Sequence, residues 1–117
     1  GGYRVQAKTD ESAAQLAASA EQLQKAGAFS LVLEGIPNGV ASAVTKALTI
    51  PTIGIGAGPG CDGQVLVVTD MLGLGSGHYP KFVKPFGNMR EEITKAVIAY
   101  KEEVEEGTFP DEQHSYG

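Results

Sequence analysis

A glutamate directly after an apolar run has the position that best suits catalysis. Glu34 follows residues 28–33, of which five out of six are apolar. In a parallel α/β fold the carboxyl ends of the strands face the active site, so Glu34 would stand at that edge. A carboxylate held there, partly removed from water, can take a proton from a substrate. From position alone, a strand-end glutamate that is paired with a nearby Lys or Arg, or simply solvated, is an equally good interpretation.

Two further features lie where predicted strands end. Asp70 closes a third apolar run, residues 65–70, and could touch substrate or a metal, although we favour a structural role such as capping the next segment. The glycine-rich segment Gly54–Gly60 departs from the dinucleotide fingerprint, and no Lys-Ser or Lys-Thr pair follows it as in a P-loop. Its backbone could approach a ligand closely, or the glycines could only permit a tight turn.

The remaining reactive side chains give weaker signals. His78, in an irregular segment, and His114, in the tail, have no His or Cys at metal-ligand spacing, so we predict no metal site within this chain. For His78 we favour a local hydrogen bond over a place in the pocket. Cys61 has no nearby cation in sequence and is interpreted as an ordinary loop thiol.

Composition excludes several classes of function. The net charge of -5 and pI near 4.9 argue against a nucleic-acid-binding protein. A single cysteine rules out an internal disulfide and fits a reducing, cytoplasmic compartment. The chain has no run of about 18 apolar residues, so no membrane span is predicted. Lys81, Lys84 and Arg90 form a mildly basic stretch that we interpret as solvated surface.

Three helices and three strands are expected to position these residues. Helices are predicted from a Thr9 cap to Gly27, from an Asn38 cap to about residue 48, and from an Asn88–Glu91 capping box to Gly107. The strands are residues 28–33, 50–56 and 65–70, and none alternates, which indicates that both faces are covered. The last helix is expected to turn Ile93, Val97, Tyr100 and Val104 inward.

This order of elements predicts a parallel α/β fold that is larger than the chain. Only one of three strands can be central, whereas all three look buried, and a parallel eight-stranded barrel takes roughly 250 residues. We therefore expect residues 1–117 to be the C-terminal portion of a (β/α)8 barrel, with a polar surface tail at 108–117. The start at Gly1, without Met, fits a missing N-terminal half. Alone, the chain would expose an apolar edge.

Six segments, in order along the whole chain, resemble the ketopantoate hydroxymethyltransferase (3-methyl-2-oxobutanoate hydroxymethyltransferase) family. They correspond to about the second half of a family member. The segments are GGYRVQ at 1–6, LVLEGIP at 31–37, IPTIGIGAG at 50–58, DGQVLV at 62–67, GHYPKFVK at 77–84 and FPDEQHS at 109–115.

The resemblance implies strands six to eight of a (β/α)8 barrel in an enzyme that forms homo-oligomers, typically decamers. It implies transfer of a hydroxymethyl group from 5,10-methylenetetrahydrofolate to 3-methyl-2-oxobutanoate, giving 2-dehydropantoate for pantothenate synthesis. Mg2+ would hold the keto acid through ligands upstream of this chain, and Glu34 would be the general base. Gly35 stands where many members carry Cys. This chain alone is expected to be inactive.

Two alternatives remain at this point. One is a related Mg-dependent keto-acid lyase or mutase of the same barrel superfamily. The other is a non-catalytic interaction fragment in which Glu34 is only structural.

Overall fold

Three short parallel strands form the sheet of this protein. A computed structural model describes residues 4–117, so the first part of the GGYRVQ segment, Gly1 to Tyr3, lies outside the described residues. The strands are β1 (Leu31–Glu34), β2 (Thr52–Ile55) and β3 (Gly63–Gln64), in the order β1-β2-β3. Both pairs are parallel, which confirms the predicted α/β class.

The helices of the described residues are α1 (Asp10–Lys25), α2 (Asn38–Ala47), the four-residue α3 (Val68–Met71) and α4 (Met89–Glu106); a 3-10 helix follows at Glu112–His114. None of them is both long and apolar enough to cross a membrane.

The predicted helix caps are partly right. The Thr9 hydroxyl accepts from the Ser12 N–H at 3.1 Å and so caps α1. Gly107 ends α4 with a φ of 75°, in the left-handed region that glycine tolerates. The Asn38 cap is wrong, because Asn38 is the first residue of α2 and Pro37 is at the N-cap. Asn88 does stand at the N-cap of α4, but the predicted capping box is not formed, since the Asn88 side chain donates to the Glu91 carboxylate rather than accepting a backbone N–H.

The third predicted strand, residues 65–70, is wrong, because none of these residues lies in a strand and β3 is formed by the two residues just before them. The Val65 N–H still donates to the Gly54 carbonyl at 3.0 Å, but the chain then leaves the sheet and turns into α3. Within the described residues β3 is an edge strand, and no layer covers its apolar continuation, since Val65 and Val67 are exposed. Without burial on either side, alternating hydrogen bonds alone do not extend the ladder.

The helices cover one face of the sheet only. On β1, Leu33 is buried while its neighbour Val32 is 60% exposed, because successive side chains point to opposite faces. Phe29, just before the strand, is 88% exposed. The prediction that both faces are covered is therefore wrong for the described residues. The buried core lies between the sheet and α1 and α2, and consists of Ala20, Leu33, Ile36, Ala41, Val44, Leu48 and Ala57.

Helix α4 projects away from this core. The Cα radius of gyration is 22.6 Å and the longest extent is 70 Å, against about 13 Å of radius for a compact domain of this length. The four side chains predicted to face inward are 46–61% exposed, so that prediction is wrong here, because no layer of the described residues covers this side of α4. The tail folds back on the end of α4, where the Phe109 ring meets Tyr100 at 5.8 Å between centroids. The four side chains are Ile93, Val97, Tyr100 and Val104.

Because only one face of the sheet is covered, substitutions at the adjacent residues Leu33 and Val32 should differ sharply in their effect on stability. Leu33→Ala should lower the free energy of unfolding of this chain by about 2–5 kcal/mol, because it opens a cavity in the core. Val32→Ala should cost less than about 1 kcal/mol, since an exposed strand position loses mainly β propensity. Urea unfolding followed by circular dichroism measures both. Equal losses would show that the outer face is covered in solution.

Candidate active site

A cleft of about 740 Å³ opens at the carboxyl ends of the strands. This volume lies within the range of small-molecule sites in proteins. The cleft is where the parallel arrangement brings the strand-end loops together, as expected for an α/β fold. Its walls come from the loops after β1 and β2, from β3, and from two distant segments: Gly35 to Asn38, Gly56, Gly58, Pro59, Cys61 to Gln64, Arg4, Val5, Lys81 and Phe82.

Glu34 lies at the rim of this region. It is the last residue of β1, it pairs with Ile55 across the sheet, and its side chain shares the uncovered face with Val32. The side chain is exposed and is not among the lining residues, whereas the next residue, Gly35, does line the cleft. The Gly35 N–H donates to the Ile55 carbonyl at 2.9 Å, which continues the ladder and fixes the direction in which the chain leaves Glu34.

The Glu34 carboxylate has no partner among residues 4–117. It forms neither an ion pair nor a side-chain hydrogen bond with any described residue. Of the structural interpretations open from sequence, pairing with a neighbouring Lys or Arg is therefore wrong for this part of the chain, and solvation remains. The carboxylate is available to accept a proton.

A hydrogen-bonded chain fixes the cleft wall between β2 and β3. The Thr52 N–H donates to Asp62 Oδ2 at 2.9 Å, and the Asp62 N–H donates back to Thr52 Oγ1 at 3.2 Å. Thr45 Oγ1 donates to the Ala41 carbonyl at 2.8 Å, so it accepts from the Thr52 hydroxyl, also at 2.8 Å. Thr52 is fully buried, and its backbone N–H and hydroxyl are both satisfied through this arrangement.

The glycine-rich segment Gly54–Gly60 needs its glycines for packing, and it also forms part of the cleft. A Cβ on Gly58 would clash with Asn38 Cγ, and Gly58 has a φ of +76°. A Cβ on Gly56, with a φ of +63°, would lie 2.9 Å from the Phe82 ring. Both interpretations left open by the sequence therefore apply: the glycines allow a tight turn, and the turn lines a cleft.

Asp70 and His78 do not belong to this site. Asp70 lies in α3 rather than at a strand end, because the third strand stops early, and it does not line the cleft. His78 is exposed, does not line the cleft and makes no hydrogen bond with residues 4–117, so its predicted local hydrogen bond is wrong there. Cys61 is half-buried in the cleft wall, close to Gly54.

Sequence reasoning missed the two cations of the cleft, Arg4 and Lys81. Lys81 was assigned to solvated surface together with Lys84 and Arg90. The other two do lie outside the cleft: Lys84 stands over the Phe86 ring at 5.0 Å, and Arg90 donates to a backbone carbonyl. No local sequence pattern links Arg4 to Lys81, because the two residues lie far apart along the chain. The only sequence signal for their importance is that each lies in a segment that resembles the family, 1–6 for Arg4 and 77–84 for Lys81.

No group of three or more His, Cys, Asp or Glu side chains within residues 4–117 is arranged to hold a metal ion. A metal that took part in chemistry at this edge of the sheet would need ligands from beyond the described residues.

Comparison with known proteins gives a consistent family assignment. Residues 1–112 match the profile of the family described as ketopantoate hydroxymethyltransferase. The chain is 55% identical over 116 residues to the 3-methyl-2-oxobutanoate hydroxymethyltransferase of Halalkalibacterium halodurans, covering 99% of this chain and 42% of that protein. The chain is 54% identical to the protein of the same name from Syntrophobacter fumaroxidans, covering 100% of this chain and 42% of that protein. It is 56% identical to the one from Geobacter sulfurreducens, covering 99% of this chain and 43% of that protein. The chain thus spans less than half the length of these relatives.

The hydrogen bonds at Thr52 predict which of two aspartates, Asp62 or Asp70, stabilises the fold. Asp62→Ala should cost about 1–3 kcal/mol of unfolding free energy, because the buried Thr52 N–H loses its acceptor. Asp70→Ala is the matched control and should stay within about 0.5 kcal/mol, since the Asp70 carboxylate has no described partner. Chemical denaturation of both variants decides this, and an Asp70→Ala loss as large as that of Asp62→Ala would contradict it.

Proposed function

Because this chain belongs to the ketopantoate hydroxymethyltransferase family, we propose that it is part of an enzyme that makes 2-dehydropantoate for pantothenate synthesis. The reaction transfers a hydroxymethyl group from 5,10-methylenetetrahydrofolate to 3-methyl-2-oxobutanoate. The observation that carries the proposal is the match of nearly the whole chain at 51–56% identity to proteins of that name. The strand-end cleft, with a size suited to small molecules, supports it.

We further propose that the chain supplies the last three strands of a (β/α)8 barrel. The uncovered face of β1, the truncated edge strand β3 and the unpacked apolar side of α4 support this placement, because each needs a neighbour that residues 4–117 do not provide. The relatives are more than twice as long as this chain and have room for the other strands. The complete enzyme is proposed to be a cytoplasmic homo-oligomer, a decamer by family resemblance.

Glu34 is proposed as the general base that removes the C3 proton of the keto acid. Its support is its position at the carboxyl end of a parallel strand, its place on the face that would turn into the barrel, and the lack of any described cation that would neutralise it. Removal of the carboxylate from water, which would make it a better base, has to come from residues that cover this face.

The proposed proton transfer gives a balanced reaction. Glu34 accepts the proton from C3, and the resulting enolate forms a bond from C3 to the methylene carbon of the folate. The methylene carbon is released from the two folate nitrogens, and water supplies its hydroxyl oxygen. The proton held by Glu34 and one proton of that water pass to the two nitrogens, so that tetrahydrofolate leaves and Glu34 is a carboxylate again. One keto acid, one methylenetetrahydrofolate and one water thus give one 2-dehydropantoate and one tetrahydrofolate.

The described residues do not provide a ligand set for the Mg2+ that the family resemblance implies, since no suitable cluster of side chains exists among them. The proposal is that its ligands lie in the part of the enzyme outside this chain. The role derived for this chain is limited to proton removal by Glu34 and to the walls of the cleft.

The alternatives are less well supported. A related lyase or mutase would share the barrel, but the family match runs through residues 1–112 and includes the irregular segments beyond the strands. In a non-catalytic fragment Glu34 would be only a solvated carboxylate at a strand end, and the experiment below tests this directly.

Glu34→Gln tests the general base. In an enzyme reconstituted from this chain and the remainder of a relative such as the Halalkalibacterium halodurans protein, kcat should fall roughly 100- to 10,000-fold. The KM values should change little, because the amide keeps the shape of the side chain. Exchange of the keto acid C3 proton in D2O, followed by NMR, should fall in parallel.

The matched control is Glu21→Gln, an exposed glutamate on α1 without a described partner, which should keep full activity. If Glu34→Gln is as active as the unaltered enzyme, Glu34 is not the base. If the unaltered reconstituted enzyme folds but transfers no hydroxymethyl group, the proposed function itself is wrong.

A further inference from the structure

We propose that Arg4 and Lys81 form a carboxylate-binding subsite in the cleft, and that it holds the glutamyl tail of the one-carbon donor. The inference rests on the proposed function and deepens it by assigning donor-binding residues. Both residues line the 740 Å³ cleft, although one precedes all the secondary structure and the other follows β3 and α3.

The Arg4 side of the cleft is tied to the end of β1. The Gln6 N–H donates to the Gly35 carbonyl at 2.8 Å, and the Gln6 side-chain amide donates to the Arg4 carbonyl at 3.2 Å. These bonds hold the extended N-terminal segment against the residue that follows Glu34. The guanidinium is therefore carried on a backbone that is fixed relative to the strand ends.

The backbone that carries Lys81 is also held at the cleft. The Val83 N–H donates to the Pro80 carbonyl at 2.9 Å, and Val83 is buried, so the turn that carries Lys81 is fixed at its far end. The Phe82 ring lies next to Gly56 in the loop after β2. Lys81 is therefore placed beside the glycine-rich segment of the same cleft.

The charges in the cleft favour an anionic ligand. Within residues 4–117, neither Arg4 nor Lys81 forms an ion pair or a side-chain hydrogen bond. Asp62 is the only carboxylate among the lining residues, and its Oδ2 already accepts from the Thr52 N–H. Two cationic residues without a described partner therefore line a cleft with a single carboxylate, which already accepts a hydrogen bond, and both side chain types are suited to bind carboxylates.

The dimensions and apolar walls favour the folate over the keto acid. A five-carbon keto acid has one carboxylate and would fill a small part of 740 Å³. A folate has flat rings, which suit the Phe82 and Pro59 surfaces, and a terminal glutamyl group with two carboxylates, which matches two cations. Binding sites of this kind combine apolar walls with a few polar groups that fix orientation.

The test uses Arg4→Gln, Lys81→Gln and the double variant in the reconstituted enzyme. Each single substitution should raise the KM for 5,10-methylenetetrahydrofolate roughly 10-fold, the size of a lost hydrogen bond to a charged group. The KM for the keto acid and kcat at saturating folate should stay within about twofold. Both residues are exposed, so folding should be retained, and circular dichroism checks this.

Matched controls separate a specific subsite from loss of net charge. Lys8→Gln lies in the same N-terminal segment as Arg4, and Lys84→Gln lies three residues after Lys81, yet neither lysine lines the cleft. Both controls should leave the folate KM unchanged. Loss of folate binding in the controls as large as in the test variants would overturn the subsite.

Calorimetric titration with tetrahydrofolate and with tetrahydropteroate, which lacks the glutamyl group, identifies the bound carboxylates. The double variant should weaken binding of tetrahydrofolate and leave binding of tetrahydropteroate unchanged. Equal weakening of both ligands, an increase in the keto acid KM alone, or no change in folate binding would each overturn the inference.

The titration also separates this inference from the proposed function. If the reconstituted enzyme binds tetrahydrofolate through Arg4 and Lys81 but transfers no hydroxymethyl group, the function is wrong and the subsite stands. If the enzyme is active and the variants bind folate normally, the subsite is wrong and the function stands. If the unaltered protein binds neither folate ligand, both are wrong.

Discussion

The parallel pairing of β1 with β2 is the interaction on which the rest of this structure depends. It brings the end of β1, with Glu34, level with Ile55, and the Gly35 N–H continues the ladder by one bond beyond the strand. The loops that leave both strands therefore start from the same edge, and the cleft forms between them. The Thr52–Asp62 hydrogen bonds then fix β3 and its loop against β2.

The second constraint is the one-sided burial of that sheet. Helices α1 and α2 cover one face and bury Leu33, while the opposite face and the apolar side of α4 stay exposed. Exposed apolar surfaces of this kind are typical of places where another protein surface packs. The relatives, of which this chain covers 42–43%, have the additional length to supply it.

The same asymmetry connects the fold to the proposed chemistry. Glu34 lies on the uncovered face at the strand end, so the residues that cover this face would also enclose the carboxylate. Arg4 and Lys81 approach from the loop side, where this chain already provides fixed walls. In the proposed enzyme, the chain thus contributes a base at the boundary with the missing strands and a donor site mostly built from its own loops.

The sequence by itself determined the parallel α/β class, the existence of α1, α2 and α4, and the location of Glu34 at a strand end, because these follow from local apolar runs and cap residues. It also identified the family, through segments that span the chain. Tertiary structure decided the rest. Residues 65–70 and the inward side of α4 read as buried in sequence, but burial depends on a neighbouring layer, and the described residues provide none there. Likewise, Arg4 and Lys81 line the same cleft only because the folded backbone brings two distant segments together, and no local sequence pattern indicates this.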